Sequence, residues 1–193
     1  STSNDKDFLT ACESLLSDKL VSLQWWEEDR ANDGFFAINP GDVPGSAAFS
    51  ATISTSKGSG KAFNYFHRPD GAVVGLWKNK YSAISPDNGK TWTKISKNKS
   101  LLTDGAKTWA QATDDGKFVV VHNQSATSRN RYPMTSITSF DGNIFEDLLS
   151  LRSDNPLVRY QAIHKNPGSQ YYRGIIEGNG NAPGEETWVV YSV

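Results

Sequence analysis

The sequence predicts an all-β fold of short antiparallel strands repeated in four-stranded units, with one short N-terminal helix in front. Three observations carry this expectation. From about residue 46 onward, short apolar and aromatic runs alternate with tight-turn tetrapeptides. Trp, Tyr and Phe make up 11% of the 193 residues and glycines are plentiful, the material of strands and turns. The octapeptide Ser85-Pro86-Asp87-Asn88-Gly89-Lys90-Thr91-Trp92 returns in degenerate form as Ser139-Phe140-Asp141-Gly142-Asn143-Ile144-Phe145, which marks an internal repeat.

Taken in order, Phe8, Cys12, Leu15, Leu16, Leu20 and Leu23 recur at the three- and four-residue steps of one helix face. Asp5 or Asn4 stands where a cap belongs, so residues 5–21 are expected to be helical. Trp25-Trp26-Glu27-Glu28-Asp29 leads into a strand-and-turn region, its indoles read as packing groups. The first repeat runs Ala62 to His67, a turn at Arg68-Pro69-Asp70-Gly71, Ala72 to Trp77, Tyr81 to Ile84, the octapeptide, then Trp92 to Ile95. The second runs Trp109 to Thr113, a turn at Asp114-Asp115-Gly116, Lys117 to His122, a longer loop, Met134 to Ser139 and the degenerate turn. A third unit starts at Tyr171 to Glu177 and breaks off in Thr187 to Val193. The expected division is a lead-in of residues 1–45 and a partial β-propeller of residues 46–193, with blades of about 46–96, 97–150 and an incomplete 151–193. Propellers close with roughly 4–8 blades, so three to four are read as part of a six- or seven-bladed ring whose remainder is a partner of this chain.

Charge and cysteine content exclude several classes. Twenty Lys plus Arg against 21 Asp plus Glu leave no basic excess for nucleic acid. No apolar run approaches membrane-spanning length, and no membrane partner is expected. The single Cys12 excludes an internal disulfide and a Cys-rich zinc site, and neither metal nor cofactor is expected. Two Asn-x-Ser triplets, at Asn98 and Asn123, hint weakly at a secreted or periplasmic location.

The octapeptide resembles the Asp box, the bacterial neuraminidase repeat, in which Ser85, Asp87, Gly89 and Trp92 are structural. Lys107-Thr108-Trp109-Ala110-Gln111-Ala112-Thr113-Asp114-Asp115-Gly116, Arg131-Tyr132-Pro133 and the segment from Gln170 to Gly180 resemble a group of sialidase-like proteins. The resemblance covers residues 60–193 and is similar also to propeller polysaccharide lyases such as the L-rhamnose-α-1,4-D-glucuronate lyases. It implies a sialidase-like β-propeller acting on an acidic oligosaccharide or polysaccharide. The first reading is a polysaccharide lyase cleaving beside a uronic acid by β-elimination. The alternatives are an exo-sialidase-type glycoside hydrolase and a non-catalytic glycan-binding propeller. A sialidase needs three arginines, a Tyr–Glu nucleophile pair and an Asp acid/base, and its early Arg-Ile-Pro signature is missing from this sequence.

Blade topology sorts the candidate residues. The octapeptide lies on a turn between the third and fourth strands, which shares an end with the first-to-second turns. Sites in such propellers open at the other end. This rule demotes His67 and leaves it a structural reading. It gathers Lys78, Arg129, Arg131 and Arg173 with Trp109, Gln111, Tyr171 and Tyr172 as substrate-binding candidates, since guanidinium groups fork onto carboxylates and aromatic faces stack on pyranoses. For a lyase, Arg173 or Arg131 neutralises the uronate while His122 and Tyr132 share proton transfer. For a hydrolase, Glu177 partners Tyr171 or Tyr172, although topology puts Glu177 toward the wrong end.

Overall fold

A computed structural model describes residues 3–18, 20–21, 62–103, 106–124, 131–153, 168–174 and 187–192. Helix α1 spans Lys6–Ser17, and the Asp5 carboxylate caps it by accepting from the backbone of Asp7 and Phe8 at 3.0 and 3.1 Å. The helix ends earlier than the expected residue 21. Asp18 takes an extended backbone and its own carboxylate accepts from Val21 N at 3.0 Å, so it starts a new turn instead of continuing the old one. That turn places Leu20, 2% exposed, against the octapeptide.

Among the described residues ten strands follow: β1 (Asn64–His67), β2 (Val73–Leu76), β3 (Tyr81–Ser85), β4 (Ser96–Lys97), β5 (Trp109–Ala112), β6 (Phe118–Asn123), β7 (Met134–Ser139), β8 (Glu146–Arg152), β9 (Gln170–Gly174) and β10 (Val189–Ser192). β1 to β4 form one antiparallel sheet in chain order, and β5 to β8 form a second with the same order. β9 and β10 pair antiparallel as a third unit. Each four-stranded sheet is a meander with its innermost strand first, the plan of a propeller blade.

Alternating side chains bury both faces of these sheets. Tyr65 and Val73 face one core with Phe63, Trp77, Trp92 and Leu20. Phe66 and Val74, their neighbours in sequence, face a second core with Phe118, Val120 and Ile137, which glues the first blade to the second. The Phe66 and Phe118 rings stack there at 4.4 Å between centroids. Trp109, Val121, Met134 and Tyr172 make a third core between the second blade and β9. Polar stitches reinforce the first junction: Asn98 Nδ2 donates to Asn143 O at 2.7 Å, and Phe145 N donates to Ser100 Oγ at 3.0 Å.

The octapeptide turn is held by its own side chains. Asp87 accepts from Thr91 N and Thr91 Oγ1, both at 2.7 Å, while Gly89 N donates to Ser85 Oγ at 2.8 Å. Gly89 sits at φ +84°, and Trp92, 2% exposed, tucks beneath and donates to Gly89 O at 3.1 Å. This arrangement corrects the expected fourth strand. Trp92 and Ile95 are drawn into the core while Thr93 and Lys94 stay exposed, and regular ladder pairing resumes only at Ser96–Lys97. The degenerate copy repeats the pattern: Asp141 accepts from Asn143 N and Ile144 N at 2.8 and 2.7 Å.

Candidate functional site

The meander order fixes two ends. The β1–β2, β3–β4, β5–β6 and β7–β8 turns share one end. The Lys78–Lys80 turn, the β6–β7 connection and the entries to β1, β5 and β9 lie at the other, called here the entry end. His67 is at the first end, where its Nε2 lies 2.7 Å from Asn88 Oδ1 of the octapeptide, and Arg68 pairs with Asp70 at 2.7 Å. Both are local ties of the turn.

At the entry end, Asn123 closes β6 and is fully buried. Its Nδ2 donates to Arg131 O at 2.6 Å and to Ser169 O at 3.2 Å, joining the strand that leaves the second blade to the segment entering β9. Tyr172 adds a second tie, its hydroxyl donating to Ser169 O at 2.7 Å. Burial holds the Tyr172 hydroxyl well above the usual phenol range, against the opposing effects of Asn123 and the Arg131 charge. Arg131 also makes a parallel bridge to Gly168, where any Cβ would strike the Arg131 backbone. Arg131, Tyr132 and the start of β9 are thereby brought together.

Arg173, exposed on β9, places its guanidinium 5.8 Å from the Trp109 ring. Trp109 is itself 2% exposed, and its Nε1 donates to Gln111 Oε1 at 2.9 Å. Gly174 leaves room for that indole, since a side chain there would run into Trp109 and Gln111. Trp109 is therefore a floor under Arg173. The expectation that it stacks on a sugar is corrected, because its faces are covered by the third core. Tyr172 is corrected likewise: it is a buried brace.

His122 requires the largest correction. The sequence made it the last residue of its strand, at the start of the longer loop, and a proton carrier, but it is the penultimate residue of β6, fully buried, with Thr135 Oγ1 3.4 Å from its Nε2. Burial pulls its pKa below the usual imidazole value, so the ring is neutral and closed off from any substrate. Regular β6–β7 pairing runs through Asn123↔Met134, one residue pair beyond His122↔Thr135, which explains its enclosure.

Lys78 sits in the 3-10 turn Lys78–Lys80 at the entry end of the first blade. Arg129 and Glu177 lie outside the described residues, as do Trp25, Trp26 and the boundary at residue 45. The Asn98 and Asn123 triplets have buried, hydrogen-bonded amides, which removes them as glycan acceptors in the folded chain.

One residue escaped the sequence reading. Lys107, just ahead of β5, holds its ammonium 5.0 Å from the Tyr171 ring. Its position before an inner strand was the available signal. Tyr171 itself has φ +59°, a conformation costing an aromatic residue about 1–3 kcal/mol, against about 0.5–1 kcal/mol for an exposed cation–π contact. It forms a bulge: Arg173 pairs with Val190 and Gln170 with Ser192, so Tyr171 and Tyr172 together oppose Tyr191. A half-open cleft of about 770 Å³ lies between the second blade and β10, lined by Gln111, Lys117, Val119, Met134, Thr138 and Val189 among others.

A solved structure described as "Sialidase" superposes with a TM-score of 0.76 at 34% identity, covering 99% of this chain. The fold is sialidase-like. The chain spans 16% of the length of that sialidase. The family model described as a BT_1020-like, N-terminal beta propeller matches residues 1–41. An intramolecular trans-sialidase from Ruminococcus gnavus, solved in complex with oseltamivir carboxylate, aligns at 16% identity and TM-score 0.48 over 67% of this chain and 27% of its own. No curated protein matches the chain. The sialidase-like fold bears out the all-β propeller expected from the repeats.

Proposed function

We propose that this chain is part of a sialidase-type carbohydrate-active protein and contributes to an acidic-glycan site at its entry end. The observation that carries this reading is the likeness to a sialidase at 34% identity across 99% of the chain. In this reading the turn from Ser85 to Trp92 is an Asp box, and its position assigns the site to the opposite end. Arg173 is exposed there, and Arg131 is anchored through its backbone to Asn123 and Gly168. A glycosidic carboxylate is an acceptor that guanidinium groups bind through two parallel hydrogen bonds. Arg173 neutralises it, with Gln111 and Lys78 as further polar contacts, while Arg131, whose Nε and Nη1 are buried, lends its charge from behind; the hydrolytic acid, base and nucleophile come from elsewhere in the protein. An acidic polysaccharide outside the cell as substrate goes with a secreted or periplasmic location, which is part of this proposal.

This reading replaces β-elimination as the preferred chemistry. A lyase base must reach the C–H beside the uronate, and His122, its intended carrier, is fully buried. Tyr132 alone leaves that mechanism without the second proton-transfer group assigned to it.

The test is incubation of the intact protein with sialosides and, separately, with uronate-bearing polysaccharides. Release of free sialic acid is expected. Growth of absorbance at about 235 nm, the unsaturated product of elimination, with no sialic acid released, overturns the proposal in favour of a lyase. Binding without turnover on both panels overturns it in favour of a non-catalytic module.

A further inference from the structure

We infer that Tyr171, with Lys107 beside it, is a sugar-stacking subsite that selects for a negatively charged residue of the glycan. The inference rests on the acidic-glycan reading above and assigns it a specificity element. Among the described residues with positive φ, which also include Ala62, Asn79, Lys80, Asn88 and Asp147, Tyr171 is the one aromatic. Asn and Asp tolerate the left-handed region through their short polar side chains; an aromatic ring gains nothing from it locally.

The bulge sends its two tyrosines to different fates: Tyr172 is 2% exposed in the third core, while Tyr171 is 39% exposed. A bulge re-aims a side chain, and here it turns a phenol outward at the entry end of an inner strand. The Lys107 ammonium lies 5.0 Å from that ring, and Arg173 stands two residues further along the same strand. An aromatic face beside a cation matches one ligand chemistry, a pyranose whose C–H face stacks while its carboxylate meets the charge. A neutral sugar uses the ring alone.

Tyr171→Gly is the discriminating variant, because glycine adopts φ +59° without penalty and removes the ring. The intact protein, Tyr171→Gly and Lys107→Met are compared by thermal unfolding and by titration with 3′-sialyllactose and lactose. The expected result for Tyr171→Gly is an unchanged or raised Tm together with about a tenfold weaker affinity for 3′-sialyllactose. Lys107→Met is expected to erase most of the preference for 3′-sialyllactose over lactose. A lowered Tm with unchanged affinity makes Tyr171 a packing residue and overturns the inference, as does wild-type affinity in Tyr171→Gly. Absence of 3′-sialyllactose binding by the unaltered protein overturns the acidic-glycan reading itself, which separates the two failures.

Discussion

Asn123 Nδ2 lies 2.6 Å from Arg131 O, and this bond closes the connection between β6 and β7 onto the strand it leaves. The same nitrogen reaches Ser169 O at 3.2 Å, so one buried amide joins three stretches of chain. Asn123→Ala is expected to leave Arg131 O without this donor at a cost of about 1–3 kcal/mol. Urea denaturation should show a lower midpoint at unchanged slope. A midpoint equal to that of the unaltered protein would mean that water replaces the amide freely.

Gly89→Ala meets two penalties, the φ of +84° and a Cβ placed 2.6 Å from Leu20 Cδ2. Gly116→Ala meets only the first, at φ +78° with nothing within 4 Å. The Gly116 variant should lose about 1 kcal/mol and the Gly89 variant clearly more, with Leu20 displaced. Limited proteolysis near residues 18–21 is the matching readout: faster cleavage is expected in Gly89→Ala alone. Equal losses at the two glycines would refute the docking of Leu20 as a stabilising contact.

Acid should unfold the protein partly through His122. Its folded pKa is depressed by burial from 6.5, so between that value and the lower folded one the unfolded chain binds more protons. The stability it contributes is complete above about pH 6.5 and is lost as pH falls toward the folded pKa. Thermal midpoints measured from pH 8 to pH 5 should decline below that point, and His122→Gln should flatten the decline. An identical pH profile in the variant would show that His122 is not the responsible group.

Asp87 acts in a lower window. The Thr91 hydroxyl, foremost among its hydrogen-bond donors, holds its carboxyl below the usual value of 3.8. The carboxylate's contribution is thus present above that value and disappears as pH falls through the folded pKa. Thr91→Val is expected to raise the Asp87 pKa, visible as an upward shift in its NMR carboxyl titration, and to destabilise the turn at neutral pH. Asp141, held low by Ile144 N and Asn143 N, serves as the control that does not move.

Much of the fold was legible because local chemistry and global topology agree in it. Arg68-Pro69-Asp70-Gly71, Asp114-Asp115-Gly116 and the octapeptide each turn where their Gly and Asp residues dictate, and the two meanders follow. Helix termination was less legible, because Asp18 reads equally as an exposed helical residue and as a new cap. The site was readable to the level of its end of the sheet. His122 was misplaced by a single ladder step: whether a strand stops at His122 or Asn123 depends on pairing with Met134, a long-range choice that no local pattern encodes. Trp109 and Tyr172 were misjudged because an aromatic residue on an inner strand looks the same whether a neighbouring sheet or a ligand covers it. Lys107 was overlooked since a lone lysine before a strand carries no pattern until Tyr171 lies beside it.

The tie from Asn98 to Asn143 has a consequence during synthesis. The first blade ends at an amide whose acceptor is 45 positions downstream. At about 5–20 residues per second, the ribosome delivers that acceptor roughly 2–9 s later. Through the first part of this interval, until residue 118 is made, the nascent first blade has Phe66 but not the Phe118 ring that stacks on it. A chaperone or a premature stop acting between residues 98 and 118 therefore meets a sheet whose Phe66 ring still lacks its stacking partner.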